Sequence, residues 1–252
     1  MNKILTGQAK LHTLVDTFEH DSSLLKIQKV LPELHKNMTV LDVGCGDSRL
    51  SSGLVSSVTE VVGLDIHEKA LLEAQKKGLK TISSDIETSW PIKDKSIDLI
   101  LILDTLEHIS DCEFILNEAK RVLKNDGSII ITIPNHFDLK NRLEILFGRG
   151  IVHWSHRKYG ESSWKYSHIR FPNLAEIQTL VDSVGLHSEI TQLNFMGGGI
   201  LPARLVPKAI RLWLTQTYPN LFSGKFTMRL RFKKDVEQKT VFVILDKTEI
   251  GM

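Results

Sequence analysis

Four aspartates, Asp42, Asp65, Asp85 and Asp104, recur about every twenty residues, and each closes a short apolar run. One carboxylate in such a place commonly caps a helix. Four that converge repel one another unless a cation or a set of hydrogen-bond donors fills the space between them. The first lies in "TVLDVGCGDSRLSSGL" (39–54), where Gly44 and Gly46 allow the backbone to approach a ligand without a Cβ in the way. An acid about twenty residues past such a turn, as Asp65 is, can accept both hydroxyls of a ribose. An acid after the third run can accept from an exocyclic amine such as that of adenine. Acids near the first and fourth runs can face an ammonium or sulfonium group.

The elements that must position these acids follow from periodicity. "TVLDVG" (39–44), "EVVGLDI" (60–66), "KTISSDI" (80–86), "SIDLILILD" (96–104) and "SIIITIPN" (128–135) predict strands. Between them, helices are expected over "DSRLSSGLVSSV", over "HEKALLEAQKKG" closing on Gly78, and over "SDCEFILNEAKRVLKNDG" with Asp111 near its start and Gly127 past its end. A further helix is expected across 21–36, behind an Asp/Ser cluster. Near-continuous apolar strands alternating with helices indicate a parallel sheet covered on both faces, whose ligand lies beyond the carboxyl ends of the strands.

Three occupants of that edge can be weighed: a dinucleotide, a methyl donor, or none. A dinucleotide asks for G-x-G-x-x-G with its pyrophosphate on the helix N-terminus. "GCGDSR" instead places Asp47 where the phosphates would lie and Arg49 where the third glycine belongs. Ribose, adenine and a cationic tail together describe S-adenosylmethionine (SAM) better than NAD.

The bulk numbers allow one sizeable core with room for a modest insertion. The chain has 252 residues, 42% apolar and 25% charged, with a formal net charge of +2. Two cysteines, Cys45 and Cys112, make no disulfide framework and no metal-binding cysteine pair. "MNKILTGQAKLH" lacks the apolar centre of a signal peptide, and no apolar run approaches a membrane span, so a cytoplasmic protein is expected.

"VLDVGCGDSRL", "VVGLDI", "SSDIETSWPIKDKSIDLILILDTLEHI" and "EAKRVLKNDGSIIITIPN", in this order and spacing, resemble the class I SAM-dependent methyltransferases over residues 39–135. The resemblance implies a Rossmann-like α/β fold: a mostly parallel seven-stranded sheet with helices on both faces. It implies SAM as cofactor, with Asp42, Gly44, Cys45 and Gly46 along its methionine part and Asp65 with Ile66 at the ribose. Asp85 and Ile86 would flank the adenine, and Asp104 with Thr105 the sulfonium end. The later stretches "PNHFDLKNRLEILFGRG" and "HIRFPNLAEIQTLVDSVGL" are similar to the MetW-like branch and to methyltransferases of bacterial glycan pathways. The expected organisation is an N-terminal helical segment (1–38), a SAM-binding core (39–135), an acceptor-covering lid (136–170), and a remainder (171–252). That remainder includes "NLAEIQTLVDSVGL" as a helix, "HSEITQLNFM" and "TVFVILDK" as strands, and a basic insertion at 197–234.

Methyl transfer to a hydroxyl needs the partners aligned and a proton removed, and histidine is the natural base. His108 in "DTLEHIS" and His136 in "PNHF" follow the fourth and fifth strands and are the candidate catalytic residues. Either could instead order its loop. Asp104, Glu107 and His108 also resemble the metal-binding acid-x-x-Glu-His stretch of ubiquinone-pathway O-methyltransferases, with Asp where that family has Glu. The same stretch occurs in metal-free relatives, and no metal is expected. His153, His156, Arg157, Tyr159, Trp164 and His168 fall in one aromatic, basic segment that could cover the acceptor. Their spacing matches no zinc pattern.

From Lys140 to Arg170 there are seven basic residues against Glu144 and Glu161, and from Leu201 to Lys234 eight with no acid. That asymmetry indicates an anionic acceptor, small or glycan-type, or a solvated basic face. "LPARLVPKAIRLWLTQTYPNLF" mixes Leu, Ile and Trp with the basic residues as an interfacial helix would, so peripheral contact with a membrane or a lipid-linked substrate is a further expectation. Strand four ends in "DTLE" and lacks the Asn/Asp-Pro-Pro-aromatic turn of base-amine methylases, which argues against nucleic-acid bases as acceptors. A SAM-binding regulatory or complex-forming subunit is the alternative to an enzyme. The sequence does not specify an oligomeric state.

Overall fold

The computed structural model describes residues 27, 29–153, 166–195, 200, 205–233 and 239–245. Among the described residues eight strands form one sheet: β1 (Thr39–Val43), β2 (Glu60–Asp65), β3 (Lys80–Ser83), β4 (Ile97–Leu103), β5 (Leu123–Pro134), β6 (Leu186–Phe195), β7 (Ser223–Phe232) and β8 (Val241–Leu245). Their order is β3-β2-β1-β4-β5-β7-β6-β8. The first five pair in parallel, β7 runs antiparallel between β5 and β6, and β8 adds in parallel to β6. The chain winds outward from β1 towards β3, then returns to β4 on the other side of β1. The switch of direction between β1 and β4 opens the crevice where open α/β sheets take their ligands.

Alternate residues of the central strands feed two cores. Leu41, Val43, Ile100, Ile102, Ile129 and Ile131 face one layer, with Ile115 and Leu116 of helix α2 (Cys112–Val122) and Ile177 and Val181 of helix α4 (Leu174–Ser183). Val40, Leu99, Leu101, Leu103 and Ile130 face the other, with Leu54, Val58 and Ala74 of helix α1 (Glu68–Lys76). This burial on both faces is why the strands read as unbroken apolar runs. The helix starts are chemically marked: Asp111 accepts the Phe114 N–H at 2.9 Å, and Asn173 with Glu176 forms a capping box. Three further helices are α3 (Leu139–Leu146), α5 (Lys208–Thr217) and the short α6 (Pro219–Phe222).

The structure departs from the sequence reading in four places. Where a helix was expected after β1, only a single 3₁₀ turn forms, Ser52–Leu54. The stretch is rich in serine, a residue that competes with helical backbone bonding, and Ser51 is drawn to Asp42. In the segment 21–36, of which 21–26 and 28 lie outside the described residues, the Val30 and Leu31 N–H groups bond the Ile27 carbonyl and the chain is irregular from Leu31. Pro32 disfavours helical backbone at the residue before it. Gly127, expected just past α2, lies inside β5, which starts at Leu123 with a register irregularity opposite Ile97 and Leu99. Finally, the segment 197–234 is not only an insertion, because its residues 223–232 are β7, and the sheet has eight strands where seven were expected.

Candidate active site

β1 delivers Asp42 to the crevice, and the chain then turns through Gly44 (φ +68°) and Gly46 (φ +51°). A side chain at Gly44 would place its Cβ 2.7 Å from Thr105 Cγ2, whereas at Gly46 it would meet nothing within 4 Å. The turn therefore packs tightly against the end of β4 at its first glycine and faces open space at its second. A cavity of about 390 Å³ lies there, lined by Asp42, Gly44, Cys45, Gly46, Asp47, Arg49, Leu50 and Leu103. Its size is that of a small-molecule site.

The expected cofactor residues meet quite different surroundings. Asp42 is buried and accepts the Ser51 hydroxyl at 2.5 Å. Burial pushes its carboxyl up to about 7, the Ser51 bond opposes this, and the neighbouring Asp65 charge adds to it. Asp65 is also buried, but the backbone N–H groups of His67 and Gly46, each at 2.8 Å, together with the His67 ring at 3.0 Å, outweigh its desolvation and hold it below the usual carboxylate range. Its Oδ2 accepts the Gly46 N–H, so this carboxylate also ties the glycine turn to the end of β2. Cys45 is buried, and burial with the Asp42 charge pushes its thiol up to about 12, which leaves it unreactive. Ile66 is exposed.

Asp85 stands exposed two residues beyond β3 and accepts the Glu87 N–H at 2.9 Å. Ile86 is partly buried, and its carbonyl accepts the Trp90 indole N–H at 2.9 Å. Asp104 has left-handed backbone (φ +53°), accepts the Thr132 hydroxyl at 2.8 Å, and pairs with Lys225 of β7. Thr105 is buried, its hydroxyl donating towards the carbonyls of Val43 and Leu103 at 3.3 and 3.2 Å. Four acids thus stand at or just past consecutive strand ends, yet only Asp42 and Asp65 are buried there.

The candidate acceptor residues also gather at this end. Glu107 is buried, and its Oε2 has no hydrogen-bond partner among the described residues. Burial, with the nearby Asp104 charge, pushes its carboxyl up to about 8, against the pull of Lys225. Its backbone carbonyl accepts from Ile169 and Arg170, which draws the strap 166–171 across the 3₁₀ turn Leu106–His108. His108 is exposed, with Nδ1 3.1 Å from the Ser167 carbonyl and its ring edge-on to His168. His136 is buried, with Nε2 2.6 Å from Tyr166 Oη and 3.0 Å from His168 Nδ1. His153 lies edge-on to His136 and is 2.7 Å from the buried Asp138 carboxylate. His156, Arg157, Tyr159 and Trp164 lie outside the described residues.

Two expectations change with these positions. His136 is buried, not open at the surface, and its Nε2 meets Tyr166 and His168. Asp104 is turned to Lys225 and Thr132, so the three groups that converge are Glu107, His108 and His168, whose ligand-capable atoms all lie within 4.8 Å of one another. The sequence reading missed Ser51, Lys225 and the position of Tyr166. Tyr166 stood in a visibly aromatic segment. Lys225 carried no local signal, since only the pairing of β7 with β5, Lys225 opposite Pro134, brings it to Asp104.

The family model described as a methyltransferase domain matches residues 34–169. A ubiquinone biosynthesis O-methyltransferase of Pelagibacter ubique is 34% identical over 105 residues, covering 40% of this chain and 43% of that protein. The mitochondrial ubiquinone biosynthesis O-methyltransferase of Bos taurus is 26% identical over 194 residues, covering 71% and 50%. The chain spans about half the length of the relatives it matches. Among solved structures, a SAM-dependent methyltransferase of Thermotoga maritima superimposes with a TM-score of 0.57 at 21% identity, over 91% of this chain and 96% of the other. That likeness shows the fold.

Proposed function

The chain belongs to the methyltransferase-domain family, and from that premise we propose that it is an enzyme that transfers the methyl group of SAM to an oxygen of a small or glycan-type anionic acceptor. The observation that carries the reading is the turn at Gly44–Gly46, which opens onto a cavity walled by the buried Asp42. The fit to SAM is chemical: an acid-walled cavity beside a glycine turn suits a ligand with an ammonium and a sulfonium, and disfavours a pyrophosphate. Asp42, Gly44 and Gly46 would hold the methionine part, Asp65 the ribose, Asp85 and Ile86 the adenine. When bound, SAM supplies a methyl group made electrophilic by its sulfonium.

The chain's own residues have two tasks, alignment and proton removal. Support for the second comes from the imidazoles and phenol at the ends of β4 and β5. His108 and His168 reach the surface, and Tyr166 stands between solvent and the buried His136, which can hold or pass a proton through Nε2. The names of the ubiquinone-pathway relatives support oxygen as the atom methylated. The basic residues of 140–170 and 201–234 support a negatively charged acceptor.

Calorimetry with SAM tests the donor half. Wild type should bind, and Asp65→Ala should weaken binding at least about tenfold, since it removes the acceptor for ribose and the tie to Gly46. Absent binding by wild type, or an unchanged Asp65→Ala, overturns it. For the acceptor half, radiolabelled methyl transfer into fractionated lysate requires no guess about the substrate. His108→Ala and His136→Ala should each lower labelling while SAM affinity stays at the wild-type value; unchanged labelling in both removes this acceptor site.

A further inference from the structure

Helix α5 half-covers Leu212 and Leu214 but leaves two large apolar side chains in the open. Its buried positions are Arg211 and Thr215, one turn apart, while Ile210 and Trp213 face outward. The Arg211 guanidinium is turned inward to the Val206 carbonyl at 2.6 Å, and the Thr215 hydroxyl to the Arg211 carbonyl at 2.8 Å. Trp213 is 57% exposed and Leu205 72%, and the Trp213 ring lies edge-to-face with exposed Tyr218 at 6.1 Å. A second apolar group sits at the far end of α3, where Leu146 is 74% and Phe147 79% exposed, with Ile145 and Ile151 beside them in sequence. Surfaces of this kind are uncommon on a solvated monomer.

Both groups leave the sheet at the same end. α3 begins five residues past β5, and α6 delivers the chain from α5 to the start of β7, opposite the end of β5. Asn135, just past β5, donates its amide to the carbonyls of Asn220 in α6 and Ser223 at the start of β7. This is also the end that carries Asp42, Asp65 and Asp104.

Charge selects the occupant. Across 139–151 and 205–222, leaving aside the buried Arg211, there are four basic residues and one acid, Glu144, which Arg149 pairs at 3.1 Å. A second copy would bring like charges together across an apolar contact. An anionic bilayer instead accepts Leu and Phe side chains into its acyl boundary, Trp and Tyr at its headgroups, and basic residues at its surface. We propose that α5 and the C-terminal end of α3 dock this protein on the surface of an anionic lipid bilayer. The contact is peripheral: α5 is about 15 Å long against a hydrocarbon core of about 30 Å, and among the described residues no helix is long and apolar enough to cross a membrane.

Flotation of the full chain with vesicles tests this, comparing phosphatidylcholine alone with phosphatidylcholine plus phosphatidylglycerol. Wild type should partition at least about tenfold more strongly onto the anionic vesicles, less so as salt is raised. Trp213→Ser, and Leu146→Ser combined with Phe147→Ser, should each reduce partitioning about tenfold. Calorimetric SAM binding by the same variants should match wild type, which shows them folded and keeps this result separate from the catalytic reading. No partitioning by wild type overturns the proposal, and so does partitioning that survives both variants. A dimer in light scattering that these substitutions dissociate would assign the surface to a second copy and overturn it equally.

Discussion

Asp42 and Asp65 end neighbouring strands, yet their surroundings push them in opposite directions. Asp65 collects three donors and stays ionised, while Asp42 has one hydroxyl against full burial and titrates near neutrality. A cation in the cavity favours the Asp42 carboxylate, so with SAM placed as proposed its pKa falls on binding and a proton leaves. Affinity for SAM should therefore rise with pH, by up to about tenfold per unit, and level off above about pH 7. Calorimetry in buffers of different ionisation enthalpy reads the released proton, and Asp42→Asn should flatten the profile. Glu107 is the second carboxyl with a raised pKa, and linkage gives its sign. A folded-state value of about 8, above the ordinary 4.5, means a contribution to stability that is complete in acid and lost as pH rises through about 8. Glu107→Gln keeps the shape and removes the charge. Its melting temperature should equal wild type near pH 4 and exceed it by about 3 °C or more near pH 9, by scanning calorimetry.

At the scale of elements, α4 shows what local chemistry can specify. "NLAEIQTLVDSVGL" announces its start with Asn173 and Glu176, and both capping bonds form. Asn173→Ala should cost about 1 kcal/mol and lower the melting temperature by about 2–4 °C, checked by thermal denaturation. The parallel strands β1, β2, β4 and β5 were equally legible because burial writes an apolar run into each, whereas the edge strand β3, with no buried residue, was legible from its place in the alternation. What escaped notice was set by long-range pairing. β7 carries Phe226, Met228 and Leu230 at alternate positions and buries all three, but Lys225, Arg229 and Arg231, among and beside them, read as a basic insertion. The Ser-rich stretch after β1 reads as helix by position, whereas its serines serve Asp42 and the turn. The strand-end acids were legible as a set, but their differing burial was not. That depends on which donors the fold brings to each carboxylate.

At the scale of the molecule, the sheet separates rigidity from chemistry. Its centre, β1, β4 and β5, is buried on both faces, while the glycine turn, the 3₁₀ turn Leu106–His108 and the strap 166–171 gather beyond the strand ends. These edge segments hold few repeating backbone bonds, so they should open locally well below the free energy of global unfolding. A ligand that bridges β1, β2 and β4 would link them. Saturation with SAM at about a hundred times its dissociation constant adds about 2.7 kcal/mol, a rise of about 5–10 °C in melting temperature for a chain of this size. Hydrogen exchange resolves where that stabilisation acts. Amides of 44–54, 63–67 and 104–108 should slow on adding SAM, those of β1 and β4 should be slow throughout, and those of β6 to β8 should slow only as far as global stability rises. Equal slowing across the sheet, with no added protection at 44–54, would place the cofactor away from the glycine turn. Selective slowing there would tie the cofactor to the crevice between β1 and β4, because no other segment changes direction at that point.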